Sequence, residues 1–548
     1  PEGLRQSMSW VHTWSGLLLG WLLYAVFFTG TLSYFRDEID DWMRPELHQS
    51  VADANTAERG LEALTKMAPN ATTWTLNLPS ARQTALEATW REPGAAAGRA
   101  GIKRAELDAA TGEQLTPRET RGGSFLYRFH FELYAMPRIW GRWIVGVATM
   151  LMFVAIISGV ITHKKIFTDF FTFRPRKGQR SWLDAHNATA VLALPFHIVI
   201  TFSGLLLLMN MLMPWGVNAA YDGNTQAYFT EIRGGRQTAP QGNVGDRQGG
   251  RKSQETPDPA SMAPIAPMLV QAQQLWPERG VGSITVNAPG TSKATFELRE
   301  RGGSSLINRG ASKTLSFDGV SGELKSSPPA QDVSWVRATN NVFTSVHLGR
   351  FAEPALRWLL FLSGVVGTIM AGTGMVLWVV KRLPERRKLG RTPFGHRFVE
   401  VLNVGSIAGL SVATAAYFWL NRLIPAELAG RADWEIRGFF IVWLLCALHP
   451  LVRSHRNAWR DQLALATILF ALLPLLNPLT GGGSLLQTMA NNQWSVAGFD
   501  LMMLALAAMH AAVVWWLMRP APVKSIAAKT VQSKPSATNG TAPLESAT

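Results

Sequence analysis

The chain alternates between apolar runs of about twenty residues and polar stretches with strand-like alternation. An apolar run of that length crosses a bilayer as a helix. Eight such spans are predicted: 10–34, 143–162, 188–213, 356–380, 399–420, 436–452, 462–477 and 498–518. The first is too long, and too polar at its far end, for a cleaved signal peptide, and it reads as a retained anchor. Two long polar segments, 36–125 and 215–345, interrupt the first four spans. The last four have short connections and read as a separate helical bundle.

The polar segments repeat one order of elements. A helical stretch comes first, Ala57–Met67 and then Ile265–Leu275. Alternating strands follow, Thr73–Leu78 with Thr84–Trp90 and Ser283–Asn287 with Lys293–Arg299. Each unit then carries a turn, Asp108 to Glu113 and Asp318 to Glu323, in which Asp bonds nearby backbone and Gly accepts positive φ. A histidine and a new span close each unit, His130 and His347. The second segment adds a Gly/Gln/Arg-rich stretch, about 222–263, expected to be a flexible loop or a mobile flap over a site.

This pattern gives a polytopic α-helical membrane protein with about eight spans, a four-helix bundle extended by a second one, and two α+β domains outside. The expected boundaries are a first span (1–35), a first outer domain (36–125), an interfacial helix with spans two and three (126–214), a second outer domain (215–345), span four with a basic loop (346–397), spans five to eight (398–518) and a disordered tail (519–548).

The net charge of +15 is concentrated beside the spans. Lys164, Lys165, Arg174, Arg176, Lys177 and Arg180 follow span two, and a second cluster runs from Lys381 to Arg397. Short basic loops beside apolar spans are a positive-inside signal rather than a nucleic-acid footprint. Both termini are therefore expected in the cytoplasm of a bacterial inner membrane, with the large loops in the periplasm, and lipid is the expected surrounding. The single cysteine, Cys446, excludes an intramolecular disulfide, a CxxCH haem attachment and a four-cysteine cluster.

Histidine placement carries the chemistry. Of eleven histidines, His12, His130, His163, His186, His197 and His347 lie in or beside the first four spans. His12, His163 and His186 fall near the cytoplasmic face, and His130 and His347 near the other. His197, eleven residues beyond His186, would lie about 16 Å deeper on a straight helix, in the outer layer. The reading is three histidines per layer. Facing helices can supply two imidazoles to a six-coordinate haem, and two stacked b-type haems would carry an electron across the bilayer. Depth favours His12 or His163 with His186 inside, and His197 with His130 or His347 outside. Arg128, Arg142, Arg350 and Arg357 are candidate partners for haem propionates. His396, His449, His455 and His510 read as loop or helix-end histidines, with a quinol or third-cofactor site there as the alternative. No Walker A sequence, dinucleotide fingerprint or HExxH is present.

The stretches Trp10-Val11-His12-Thr13-Trp14-Ser15-Gly16-Leu17, Ser158-Gly159-Val160-Ile161-Thr162-His163 and Ser181-Trp182-Leu183-Asp184-Ala185-His186-Asn187, running on to Leu194-Pro195-Phe196-His197, resemble the PepSY-associated transmembrane family. The Asp-to-Glu turns resemble those of PepSY domains. The resemblance covers about residues 5–385, and within the family it points to bacterial ferric-siderophore reductases of the ferrioxamine type. It implies haem in the bundle and reduction of a ferric siderophore on the periplasmic side. The electron donor, a quinol or a cytoplasmic reductase, is left open, as is the role of the last four spans. The rival expectations are an iron or siderophore permease without redox chemistry and a non-enzymatic PepSY binding protein.

Overall fold

A computed structural model describes residues 3–96, 98–163, 166–170, 174–175, 177–233, 258–302, 306–307, 313–326 and 333–519. Most of the expected flap (234–257) and the expected disordered tail (520–548) lie outside the described residues. Among the described residues, seven helices are long and apolar enough to cross a membrane, or eight if one bent pair counts as a single span. The chain is a multi-pass membrane protein.

The first bundle is built from α1 (Leu4–Leu32), α5 (Arg138–Thr162), the bent pair α6 (Gln179–Leu192) and α7 (Leu194–Leu207), and α10 (Pro354–Leu389). Helix α1 packs on α5 and α10, α10 packs on α6, and α5 packs on α7, which closes a ring. The third span differs from the straight helix expected. It bends by 66° between α6 and α7. Pro195 lies in the first turn of α7 and has no N–H to continue the ladder of α6, so the helix restarts there.

Two short helices precede the second and fourth spans. Helix α4 (Gly122–Glu132) packs on α1 and α5, and α9 (Trp335–Leu348) packs on α7. They carry His130 and His347, the closing histidines of the two repeats.

Among the described residues the two outer segments share one sheet, the first meeting the second edge to edge. Its eight strands are β1 (Thr73–Asn77), β2 (Leu86–Arg91), β3 (Ile102–Leu107), β4 (Gln114–Leu115), β5 (Val281–Asn287), β6 (Thr295–Glu300), β7 (Thr314–Asp318) and β8 (Leu324–Ser326). Their order is β4-β3-β2-β1-β5-β6-β7-β8. Strands β1 and β5 pair antiparallel from Thr73↔Asn287 to Asn77↔Ser283, with Thr75 opposite Thr285 at the centre. Left apart, each would be an edge strand with unpaired N–H and C=O groups; pairing satisfies both rows. The buried face, including Trp74, Leu76, Ile284, Val286, Phe296 and Leu298, lies under α3 (Thr56–Met67) and α8 (Ile265–Leu275). The two turns match each other. Asp108 Oδ1 accepts from the N–H groups of Ala110 (2.8 Å) and Thr111 (2.9 Å), as Asp318 Oδ1 does from Val320 (2.9 Å) and Ser321 (2.8 Å). Gly112 and Gly322 take φ of 75° and 77°.

The remaining spans are α11 (Phe394–Asn403), a π-helical turn (Val404–Ala408), α12 (Gly409–Leu423), α13 (Arg431–Val452), α14 (His455–Leu479) and α15 (Trp494–Met518). The α11–α12 span is the most enclosed, with 78% of its apolar window buried. Helix α2 (Arg36–Trp42), which continues α1, fastens this bundle to the first. Trp42 donates to Asp500 at 2.8 Å, and the Arg422 guanidinium lies 4.0 Å from the centre of the Trp42 ring.

His48 sits at the same junction, buried, donating Nε2–H to the Asp41 carbonyl at 2.9 Å. Burial pushes its pKa down to about 4, against 6.5 for a free histidine. Above 6.5 both folded and unfolded states hold it neutral, and its contribution to stability is full. As pH falls from 6.5 towards 4, only the unfolded chain binds the proton, so stability falls, and the loss levels off below that window. Detergent-solubilised protein should lose apparent melting temperature across this range, with up to about 3 kcal/mol coming from this group. His48→Gln should flatten the slope; a slope identical to that of the unaltered protein would count against this assignment.

Candidate functional site

Four histidines are held in one way, inside the ring of the first bundle. His12 on α1 donates Nδ1–H to the Ala155 carbonyl of α5 at 2.9 Å. His186 on α6 does the same to Met370 of α10 at 3.0 Å. His130 on α4 bonds Val26 of α1 at 2.7 Å. His347 on α9 is turned towards the Ile200 carbonyl of α7, and Ser203 Oγ, which donates to Val199 at 2.6 Å, accepts from its Nδ1 at 3.0 Å. A carbonyl can only accept, so Nδ1 carries the hydrogen in each. The Nε2 lone pair is left for a metal, the tautomer that outer-shell carbonyls impose on ligating histidines.

Four glycines make these contacts possible. Four residues after each accepting carbonyl stands a glycine: Gly159 after Ala155, Gly374 after Met370, Gly30 after Val26 and Gly204 after Ile200. Residues four apart share a helix face, so the ring reaches the carbonyl by lying over the glycine. A β-carbon would stand 3.1 Å from His12 at Gly159, 3.0 Å from His186 at Gly374, 2.7 Å from His130 at Gly30 and 3.0 Å from His347 at Gly204. Each carbonyl keeps its helical bond and spends its second lone pair on the imidazole.

The rings form two facing pairs. His12 and His186 have centroids 6.2 Å apart, and His130 and His347 have centroids 6.1 Å apart. The first pair lines a cavity of ≈ 330 Å³ whose rim includes His163, Lys381 and Arg382, here called the basic-side cavity. The second lines a cavity of ≈ 420 Å³ beside the sheet, the sheet-side cavity, together with Arg36, Arg82, Arg142, Arg350 and Arg357.

His197 departs from the sequence expectation. It lines the basic-side cavity, not the sheet-side one. The straight-helix estimate of its depth fails because the 66° bend between α6 and α7 turns the chain before His197 is reached. Four of the six candidate histidines therefore line one cavity and two the other, instead of three and three. Arg142 is held by Glu132 at 2.5 Å, and Arg357 by Glu38 at 3.2 Å. Arg128 pairs with Glu132 at 3.6 Å and is not among the residues lining the sheet-side cavity. Of the late histidines, His510 bonds its own helix at Leu506, and His455 accepts from Trp459 at 3.3 Å.

A family model, that of the PepSY-associated TM region, matches residues 9–381. The chain belongs to the PepSY-associated TM family. The match spans both histidine pairs and the whole sheet, and ends before α11. No curated protein matches the chain.

Haem, the group that the family resemblance implies, can be tested against this PepSY-associated bundle. Each cavity holds two imidazoles whose centroids lie 6.2 or 6.1 Å apart, with Nδ1 engaged and Nε2 left as the donor. Haem iron takes imidazole ligands, so such a pair could hold one. Among the described residues no group of three or more His, Cys, Asp or Glu is arranged to hold a bare metal ion. The residues present fit haem in both cavities.

Sequence reasoning missed the four glycines, Arg36 and Arg82, and read Lys381 and Arg382 only as a topology signal. The glycines did leave a signal. Each follows a hydroxyl residue at matching places in the repeat: Thr29-Gly30 with Ser203-Gly204, and Ser158-Gly159 with Thr373-Gly374.

Gly30→Ala should therefore push His130 off the Val26 carbonyl and lower stability by about 1–3 kcal/mol, as overpacking does. Gly498→Ala, where nothing lies within 4 Å of an added β-carbon, should be neutral. Thermal unfolding of the two variants side by side checks this; equal melting temperatures would refute the cradle.

Proposed function

We propose that the chain is a b-haem oxidoreductase of the bacterial cytoplasmic membrane that passes electrons across the bilayer and reduces a ferric siderophore in the periplasm, releasing Fe(II). The observation that carries this reading is two pairs of anchored imidazoles, with centroids 6.2 and 6.1 Å apart, one in each of two cavities along a single membrane bundle. Haem bound there would supply reversible one-electron chemistry.

The chain's own residues do the rest. His12 and His186 present Nε2 in the basic-side cavity, and His130 and His347 do so in the sheet-side cavity. Their Nδ1–H bonds fix ring orientation and raise ligand basicity. Arg350, with Arg142 and Arg357 held by Glu132 and Glu38, lines the sheet-side cavity with guanidinium donors suited to propionates, and Lys381 and Arg382 line the other. The basic end of α10, Arg386 to Lys388, supports assigning that side to the cytoplasm. The electron would come from a quinol or a cytoplasmic reductase. One electron converts the chelated Fe(III) to Fe(II), which hard oxygen chelators hold less well. The eight-stranded sheet over the opposite cavity offers the docking surface.

Protein purified from haem-replete cells should show a reducible b-type Soret band with two haems per chain. His186→Ala and His347→Ala should each remove one haem and leave the other. Dithionite-reduced protein should be reoxidised by a ferric siderophore. Colourless protein would sink the reading.

A further inference from the structure

His197, inside the bundle, does not follow the anchoring rule of His12, His130, His186 and His347. It is 1% exposed, on the first turn of α7 after the break. Among the described residues its ring neighbours are Phe27 at 5.9 Å and Phe196 at 6.0 Å, not a second imidazole. Its Nε2 is buried without a hydrogen-bond partner. That nitrogen lies against Gly367 of α10, where a β-carbon would stand 3.1 Å from it and 2.7 Å from the Phe27 ring.

Phe27 is the other half of the arrangement. It lines both cavities, as do Leu23 and Met152, so these three side chains form the wall between them. The edge of His197 packs on Phe27 at an interplanar angle of 74°, and Gly367 leaves room for both rings. A buried imidazole nitrogen without a partner costs about 1–3 kcal/mol. An apolar residue would fill the space without that cost, and His197 also lines the basic-side cavity.

We infer that His197 is not an axial ligand but a positioning residue: it fixes Phe27 in the wall between the cavities and tunes the group bound between His12 and His186. This rests on the haem reading above. Polar groups just outside the ligand shell are among the protein's levers on a haem potential. The dividing wall is where such a group acts on one site and leaves the other largely unchanged.

The test uses the full-length protein with His197→Leu and His197→Gln, measuring haem per chain, spin state by optical and EPR spectroscopy, and each haem's midpoint by redox potentiometry. Both variants should keep two low-spin haems. In His197→Leu one midpoint should shift, and it should belong to the haem that His186→Ala removes. His197→Gln, which restores a polar group, should move it back towards the original. Loss of a haem or a new high-spin signal in either variant would make His197 a ligand and overturn the inference. Potentiometric curves that superimpose on those of the unaltered protein would reduce His197 to a space-filler, with the same result. An unaltered chain that binds no haem removes the parent reading, and this one with it.

Discussion

An imidazole inside a membrane bundle must have its N–H satisfied, and that requirement organises the first half of the molecule. No water reaches the hydrocarbon layer, so an unpaired N–H there costs several kcal/mol. The partner used is a backbone carbonyl on the adjacent helix, which has a lone pair to spare. Reaching it brings a ring flat against the neighbouring helix, and only glycine leaves space for that. Gly30, Gly159, Gly204 and Gly374 thus fix where helices meet. The contacts of α1 with α5 and α4, of α10 with α6, and of α7 with α9 all pass through such a point. The closed ring and the two facing pairs are products of the same contact made four times.

Much of this was legible from the chain. The apolar spans, the repeated order of helix and strands, and the Asp-initiated turns depend on local patterns, and they appear where those patterns put them; Ile265–Leu275 is helical end to end. The pairing of histidines was not legible. Pairing depends on which helix faces which, and periodicity along one helix carries no information about its neighbour. The depth of His197 failed for a related reason. Pro195 was in plain view, but proline in a span allows a mild kink or a full break, and tertiary packing chooses between them. The merging of the sheets was hidden because Thr73–Asn77 reads the same as an edge or as a central strand. Ser/Thr-Gly dipeptides are common in membrane helices, so those beside the histidines gain meaning only once the repeat is aligned.

The second bundle is joined to the first by polar contacts rather than by apolar packing alone. Trp21 of α1 donates to Asn403 at 2.8 Å, and Asn403 in turn donates to the Met375 carbonyl of α10 at 3.1 Å. Met375 lines the basic-side cavity, so the wall of that cavity is braced from outside the family-matched region. On the sheet side, Arg431 and Glu435 form a fully buried ion pair at 2.8 Å, and Thr120, just before α4, donates to Glu435 at 2.6 Å. The additional spans therefore hold both ends of the first bundle in register.

The seam between β1 and β5 carries a consequence for how such a molecule arises. Thr75 and Thr285 face each other at its midpoint, their hydroxyls 3.3 Å apart, and the register runs outward equally on both sides. In the first repeat His12 precedes that midpoint and His130 follows it, and His186 and His347 occupy the corresponding places in the second. Either pair takes one imidazole from each repeat. A half-length chain alone would complete neither, whereas two copies of it, joined strand to strand about a twofold axis, would complete both. Gene duplication and fusion of a symmetric homodimer would give this arrangement directly, and the fused chain could then let the two halves diverge, as His197 on one side has.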